Sequence, residues 1–131
     1  MNGIEFTVEF YENKNGDEPV KQFIKELSSK SSTSKEDRLR AKKVFAYIRA
    51  LEKWGTRAGL PYMKHIEGDI WELRPLRDRI FFFYWKERTF ILLHYFTFKK
   101  TQKTPKREIA QAKRNMLDYL ERSGKDNGNK I

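Results

Sequence analysis

The chain has 131 residues, and its 28 Lys and Arg against 18 Asp and Glu give a formal net charge of +10. This length suits one domain with one buried core, and this charge favours a polyanionic partner, with nucleic acid ahead of acidic metabolites. The absence of cysteine excludes disulfides, thiolate nucleophiles, iron–sulfur clusters and cysteine-based zinc sites. The first residues lack a secretory leader pattern, and no apolar run approaches the roughly 18 residues that cross a bilayer, so we expect a cytoplasmic protein that does not span a membrane.

The chain begins with a predicted strand and a short helix. Apolar and polar residues alternate over residues 4–11, with the period of two that a half-buried strand shows. A turn cluster follows at 13–17, and Pro19 suits the first turn of a helix whose apolar residues recur at helical spacing up to Leu27. Residues 1–27 carry 3 basic and 6 acidic side chains, so we expect this segment to lie away from a polyanion.

A longer amphipathic helix is predicted after a serine-rich loop at residues 28–34. Ser34 or Thr33 can cap this helix, and Glu36 and Asp37 stand in its first turn, where the helix dipole favours acidic side chains. The face opposite the apolar stripe carries Lys and Arg, so the helix has a basic outer side. The residues expected to be buried are Ala41, Val44, Phe45, Ile48 and Leu51.

Extended segments follow the second helix. Residues 64–74 are interrupted at Gly68 and form either one strand or a hairpin, and residues 79–85 and 89–98 form two further strands joined by a tight polar turn. The last two segments are apolar on both faces, which places them centrally in the sheet. We expect the strands to pair consecutively as an antiparallel meander.

A third helix closes the predicted domain, with Thr104 and Pro105 suited to its start. The order strand, helix, helix, strand, strand, strand, helix is an α+β arrangement in which helices pack on a small, mostly antiparallel sheet. We expect one domain over residues 1–122 and a flexible C-terminal tail over residues 123–131, which is rich in Gly, Asn, Asp and Lys. The residues expected to be buried on this helix are Ile109, Ala112, Met116, Leu117 and Leu120.

Arg74 is the first candidate for chemistry. Alternation in its strand puts Trp71 and Leu73 on one face and Glu72 and Arg74 on the other. A guanidinium on a rigid strand can grip a phosphate through two hydrogen bonds and stabilise the charge of a pentavalent transition state. The alternative is an exposed ion pair of Glu72 with Arg74 or Arg79, which contributes less than about 1 kcal/mol.

A basic run follows the last strand. Residues 99–107 hold five cations in nine positions, beside the start of a helix that itself attracts anions. A phosphate backbone suits this place, and an ordinary solvated basic turn is the alternative. Phe98, the last residue of its strand, is the aromatic residue that we expect to be partly exposed, where a base can stack on it.

The two histidines have different predicted roles. His65 follows Lys64 and precedes a turn, so it could reach the surface of Arg74 and act as general acid or base, with a merely exposed His as the alternative. His94 lies between apolar residues and is expected to be a buried, hydrogen-bonded core residue. The sequence shows no cluster of His or carboxylates suited to a divalent metal and no glycine-rich phosphate loop, so we expect no metal and no cofactor. Any phosphodiester cleavage would then use cations and the 2′-hydroxyl of the RNA.

Four motifs occur in a specific order and spacing. They are WELR at 71–74, RIFFFY at 79–84, ILLHYF at 91–96 and KKTQKTP at 99–105. With them the chain resembles the phage-derived branch of the RelE/HigB toxins of bacterial toxin–antitoxin modules. The resemblance is strong over residues 64–122 and loose over the first strand and the helix pair, and the combination of motifs is more specific than any single one.

The resemblance implies a RelE-like fold and a ribosome-dependent mRNA endoribonuclease that cuts without metal. It implies that Arg74 holds the scissile phosphate and that Lys99, Lys100 and Lys103 contact phosphates along the RNA. The implied partners are mRNA on the ribosome and a cognate helix-turn-helix antitoxin, HigA-like, which silences the toxin in a hetero-oligomer. Arg79 corresponds to a recurring Arg with a supporting or phosphate-binding role.

The resemblance leaves the acid–base residues open. Lys64 and His65 stand near positions where relatives carry a basic or His residue. Some relatives carry a Tyr early in the final helix, where this chain has Lys106-Arg107-Glu108. Glu72, His65 or a lysine with a depressed pKa are the candidates that remain for proton transfer.

We therefore expect an mRNA interferase toxin in which Arg74 clamps the phosphate, Lys99 and Lys100 neutralise the backbone, and His65 or Glu72 assists proton transfer. The first alternative is a non-catalytic basic module that binds RNA or the ribosome. The second is an inactive scaffold that only binds its partner. Salt-sensitive RNA binding without new 5′-hydroxyl ends would distinguish the binding module from the enzyme.

Overall fold

The computed structural model describes residues 5–100 and 103–129. Three α-helices and five strands account for most of these residues, and a short 3-10 helix, Gly55–Ala58, follows the second α-helix. The elements are β1 (Thr7–Phe10), α1 (Pro19–Ser29), α2 (Lys35–Trp54), β2 (Met63–Glu67), β3 (Ile70–Leu73), β4 (Asp78–Lys86), β5 (Thr89–Thr97) and α3 (Lys106–Asn129).

The strands form one sheet in the order β1-β5-β4-β3-β2. Strand β1 pairs with β5 in parallel, and the other neighbouring strands are antiparallel, so the predicted α+β fold with a mostly antiparallel sheet is confirmed. Residues 64–74 form the hairpin β2–β3 and not one strand. The meander therefore has four consecutive strands, one more than the three expected if residues 64–74 were a single strand. Ile4, predicted to belong to the first strand, lies outside the described residues.

Strands β4 and β5 are buried on both faces of the sheet. Their side chains alternate between two cores: one under α1 and α2, which includes Phe82 and Leu92, and one under α3, which includes Phe81 and Leu93. Each of these four side chains is fully buried. Strands β4 and β5 are apolar on both faces because helices cover each face of the sheet, in agreement with the prediction that both faces are covered.

A buried ion pair fastens α2 to the sheet. Asp78 is 0% exposed, and its carboxylate accepts hydrogen bonds from Arg40 Nε at 3.1 Å and Arg40 Nη2 at 2.7 Å. The hydroxyl of Thr97 donates a third bond to Asp78 at 2.7 Å. Because a buried carboxylate needs such partners, Asp78 fixes the position of α2 against the first residue of β4 and the last residue of β5.

The helices begin largely as predicted. Ser34 caps α2, because its hydroxyl oxygen accepts a hydrogen bond from the Asp37 amide at 3.1 Å. Pro19 is the first residue of α1. Helix α3 continues to Asn129, so it does not end at the domain boundary predicted before Ser123, and the flexibility of residues 123–131 stays a prediction.

The predicted buried faces of α2 and α3 were too wide. Phe45 is 53% exposed, Leu117 is 61% exposed and Leu120 is 38% exposed. Each lies one position after a residue that contacts the core, and one position turns the side chain by about 100° around the helix. Helix α3 instead uses Tyr119, which was not expected in its buried stripe, against the sheet.

Gly55, in the turn after α2, packs tightly against the ring of Phe6, and substitution tests this contact. Gly55 is buried with φ +65°, and a Cβ there would lie 2.8 Å from the ring of Phe6. Gly68 has a similar φ of +54°, but a Cβ there would meet nothing within 4 Å. We expect Gly68→Ala to cost about 1 kcal/mol of stability from backbone strain alone and Gly55→Ala to cost about 2–4 kcal/mol, because a steric clash adds to that strain.

Urea denaturation of the two variants and the wild type measures this difference. Equal losses for Gly55→Ala and Gly68→Ala would contradict a tight contact between Gly55 and Phe6.

Candidate nucleic-acid interface

A buried carboxylate organises the cations at one end of the sheet. Glu72, in β3, is 1% exposed, and its Oε2 lies 3.4 Å from Arg74 Nε and 3.9 Å from Arg79 Nε. Its Oε1 accepts a hydrogen bond from the Thr104 hydroxyl at 3.1 Å. The predicted alternation is confirmed, because Glu72 and Arg74 share the face of the sheet that α3 covers. The ion pair is not the exposed one that the alternative interpretation assumed.

The surroundings of Glu72 act on its pKa in opposite directions. Burial raises the pKa above the ordinary value, while the Thr104 hydroxyl and the cations Arg79, Arg74 and Lys64 pull it down. Burial also lowers the pKa of Arg79. An arginine stays protonated under such a shift, so Glu72 faces a permanent positive charge.

Arg79 is held from several sides. Its Nη1 donates to the carbonyl oxygens of Leu76 and Asp78, both at 2.9 Å, and its guanidinium carbon lies 4.9 Å from the ring centroid of Phe98. Arg79 is 7% exposed and Phe98 is 8% exposed. The expectation that Phe98 is partly exposed is therefore wrong, because Arg79 covers its ring. Arg79 supports Glu72 from within the fold, and both residues offer little surface to RNA.

Arg74 keeps a partly open side chain. Its backbone amide donates to the carbonyl oxygen of Tyr62 at 2.9 Å, which fixes the end of β3. Its side chain is 31% exposed, and its Nε lacks a hydrogen-bond partner within the described residues. Glu72 thus positions the Arg74 side chain, while part of that side chain stays exposed to solvent.

Lys99 and Lys100 are exposed and line two adjacent grooves. One groove of about 370 Å³ also touches Arg77, Arg79 and Phe98. The other, of about 470 Å³, lies beneath the start of α3 and is lined by Phe96, Thr97, Phe98, Lys99, Lys100, Pro105, Arg107 and Glu108. The predicted phosphate-binding lysines therefore meet at a concave surface, and Phe98 connects it to Arg79 and Glu72.

The remaining basic candidates lie at different distances from this surface. Lys64 pairs in register with Glu72 and is exposed on the same face of the sheet. Lys103 is exposed, in the segment that leads to α3. Thr101 and Gln102, within the predicted basic run, lie outside the described residues.

The structure does not bring His65 to the surface of Arg74. His65 pairs with Trp71, whose side chain packs against the core on the other face of the sheet, and the two rings lie 5.4 Å apart. Its Nε2 also lies 2.7 Å from the carbonyl oxygen of Gly68. Neighbouring residues of a strand point to opposite faces, so Lys64 lies on the side of Glu72 and His65 does not. The predicted proton-transfer role of His65 loses its geometric basis.

Glu108 is a residue of this surface that the sequence interpretation missed. Its Oε1 lies 2.7 Å from His94 Nε2, and it lines the larger groove together with the lysines. His94 is hydrogen-bonded as expected but only half-buried, since its side chain is 18% exposed. In the sequence, the only signal is an acidic residue in the first turn of a helix, which the helix dipole explains equally well.

Two features are absent from residues 5–100 and 103–129. No helix there is both long and apolar enough to cross a membrane. No group of three or more His, Cys, Asp or Glu side chains there is placed to hold a metal ion.

The arrangement of α1 and α2 on one face, α3 on the other and a mostly antiparallel sheet between them is that of a small RelE-like protein. Residues 22–117 match the family described as phage derived protein Gp49-like (DUF891), and the chain belongs to this family. The family is associated with toxin–antitoxin modules and related to the RelE and HigB toxins. A search of the curated proteins found no match.

The raised pKa of Glu72 predicts a pH dependence of stability. Since the native state holds the Glu72 proton more tightly than the unfolded chain, the contribution of Glu72 is complete below the ordinary value of 4.5 and is lost as the pH rises through the folded-state pKa. We expect the stability of the wild type relative to Glu72→Gln to fall as the pH rises from about 4 to 7. Urea denaturation over a pH series measures this. A relative stability that rises with pH would show that the cations, and not burial, dominate the pKa.

Proposed function

We propose that this chain is the toxin of a type II toxin–antitoxin pair and, more specifically, a HigB-type, ribosome-dependent mRNA endoribonuclease that cuts without metal. Membership of a RelE-related family supports the toxin class. The observation that carries the enzymatic proposal is Arg74, which is partly exposed and paired with the buried Glu72. It lies at the end of the sheet where β5 also finishes and the exposed lysines follow.

In the proposed reaction the 2′-hydroxyl of the RNA attacks the adjacent phosphorus. The guanidinium of Arg74 binds the non-bridging oxygens of the phosphate, and its positive charge stabilises the additional negative charge of the pentavalent transition state. Lys99 and Lys100 bind the flanking backbone phosphates. The reaction leaves a 2′,3′-cyclic phosphate and a 5′-hydroxyl end.

The burial of Glu72 explains how Arg74 can be ready for substrate before binding. A flexible exposed arginine loses side-chain entropy when it grips a ligand. Arg74 has already lost part of this freedom, because Glu72 Oε2 holds its Nε side at 3.4 Å while 31% of the side chain stays exposed. Preorganised charge of this kind is the usual source of electrostatic catalysis.

The proposed partners are mRNA on the ribosome and a helix-turn-helix antitoxin of the HigA type in a hetero-oligomer. The association of the family with toxin–antitoxin modules supports an antitoxin partner. We also propose that residues 1–122 form the toxin domain and that the protein is located in the cytoplasm. The basic outer face of α2 and the lysine grooves both suit an anionic ribosomal surface.

We expect Arg74→Ala to lower the rate of transcript cleavage on ribosomes by about 10²–10³-fold, because one preorganised charge contact to the transition state is lost. The measurement is the mapping of new 5′-hydroxyl ends on a defined mRNA with purified ribosomes. Lys25→Ala, an exposed cation in α1, is the control and should cleave like the wild type.

The outcomes separate the candidate functions. Equal cleavage by Arg74→Ala and the wild type would remove Arg74 from the mechanism. Salt-sensitive RNA binding by the wild type without any cleavage would replace the enzyme by a non-catalytic RNA-binding module.

Lys99 and Lys100 should act on binding more than on chemistry. If each neutralises one phosphate of single-stranded RNA, Lys99→Ala with Lys100→Ala lowers the slope of log affinity against log salt by about 1.4. Fluorescence anisotropy of a labelled single-stranded RNA at several salt concentrations measures the slope. Lys25→Ala is again the control, and an unchanged slope in the double variant would show that the RNA does not reach these lysines.

A further inference from the structure

The larger of the two lysine-lined grooves contains one carboxylate, Glu108, among its described lining residues. Glu108 lies in the first turn of α3, and its backbone amide donates to the carbonyl oxygen of Pro105 at 3.1 Å. Its side chain is 21% exposed. A carboxylate that is mostly enclosed yet opens onto a cationic groove can receive a proton from a bound ligand.

The two oxygens of Glu108 have different surroundings. Oε1 accepts a hydrogen bond from His94 Nε2 at 2.7 Å, and the His94 ring stacks on the buried Phe81 ring at a centroid distance of 5.9 Å. Oε2 lies 3.5 Å from Arg107 Nε, whose side chain is 82% exposed. An exposed pair of this kind contributes little stability, so Arg107 does not hold Oε2 in place, whereas His94 holds Oε1.

Two of the proton-transfer candidates from the sequence, Glu72 and His65, are less well placed. Glu72 is 1% exposed, and both of its oxygens are engaged, Oε1 by Thr104 and Oε2 by the two arginines. His65 lies on the opposite face of the sheet. Glu108 is therefore the carboxylate that combines a fixed geometry with access to the surface of Lys99 and Lys100.

The groove of Glu108 and the site of Arg74 share neighbouring residues. Thr104 donates a hydrogen bond to Glu72, the partner of Arg74, and the next residue, Pro105, lines the groove of Glu108. On the other side, Phe98 lines the same groove and lies against Arg79, which also faces Glu72. One RNA segment can thus approach both the guanidinium and the carboxylate.

We propose that Glu108 is the general base of the cleavage reaction and that His94 is its positioning residue; this inference rests on the proposed function. The proton of the RNA 2′-hydroxyl goes to Glu108 Oε2, and the O2′–P bond forms. The P–O5′ bond breaks, and the O5′ leaving group takes a proton from water. The proton on Glu108 then returns to solvent, so the protein is unchanged and the products are a cyclic phosphate and a 5′-hydroxyl end.

The test is single-turnover and steady-state cleavage of a defined mRNA on purified ribosomes by Glu108→Gln. A Gln side chain still accepts the hydrogen bond of His94 through its amide oxygen, so it preserves the contact and removes the base. We expect kcat to fall by about 10²–10⁴-fold, with KM and RNA affinity unchanged within about 2-fold. Glu67→Gln, the same change at an exposed carboxylate of β2, is the control and should leave kcat unchanged.

A second pair of variants tests the part of His94. His94→Asn should lower kcat, and the double variant His94→Asn with Glu108→Gln should be no slower than Glu108→Gln alone, because a positioning residue acts only through the group that it positions. A merely structural role of His94 would instead add its loss to that of Glu108→Gln and lower the melting temperature in step. Glu108→Asp keeps the carboxylate, so it should retain more activity than Glu108→Gln.

The failure of this inference differs from the failure of the proposed function. If the wild type cleaves and Glu108→Gln cleaves equally well, Glu108 is not the base and the endoribonuclease proposal stands. If Glu108→Gln loses RNA affinity instead of kcat, Glu108 is a binding residue and the inference is overturned. If the wild type does not cleave at all, the proposed function fails and this inference fails with it.

Discussion

The fold depends on the burial of the β4–β5 pair on both of its faces. Phe81 and Phe82 are adjacent in the chain and both fully buried, so their rings need a separate apolar layer on each side of the sheet. Helices α1 and α2 supply one layer and α3 supplies the other. Apolar side chains therefore fill both faces at the middle of the sheet. The charged residues of the candidate site lie at the end of the sheet where β4 begins and where β3 and β5 finish.

Buried carboxylates make that end of the sheet rigid. Asp78 holds Arg40 on the side of α2, and Glu72 holds Arg74 and Arg79 on the side of α3. Removing one partner of a buried ion pair usually costs about 3–5 kcal/mol because the other charge is left uncompensated. Replacing a whole buried pair by well-packed apolar residues is often neutral or stabilising, so the arrangement contributes little net stability compared with an apolar core. It does keep several guanidinium groups in defined places. For a site that binds phosphate, defined positions matter more than the number of cations.

The net charge of +10 is consequently less informative than the placement of a few side chains. Arg79 is buried against Phe98 and serves the fold, whereas Lys99 and Lys100 are exposed and line concave surfaces. The long basic face of α2 is a separate feature on the other side of the sheet. The cations near the start of α3 lie beside Glu108, whose Oε1 is held by His94, and this combination suits the proposed RNA cleavage.

The sequence by itself determined the α+β class, the central place of β4 and β5 and the shared face of Glu72 and Arg74, and it narrowed the cap of α2 to Thr33 or Ser34. These features follow from local periodicity, which a short segment carries without its neighbours. The sequence also predicted the phosphate-binding candidates Arg74, Lys99 and Lys100, and their role stays a prediction. What only the tertiary structure decided depends on contacts between distant segments. Phe45 and Leu117 are exposed because each helix buries a narrower stripe than its apolar residues suggest.

The same limit applies to the candidate site. The pairing of β2 with β3 puts His65 on the face opposite Glu72, and Arg79 covers Phe98. The contact of Glu108 with His94 joins residues that are separated by the loop before α3. Register, helix rotation and loop closure are set by the packing of the whole chain, so no local pattern could have placed these side chains.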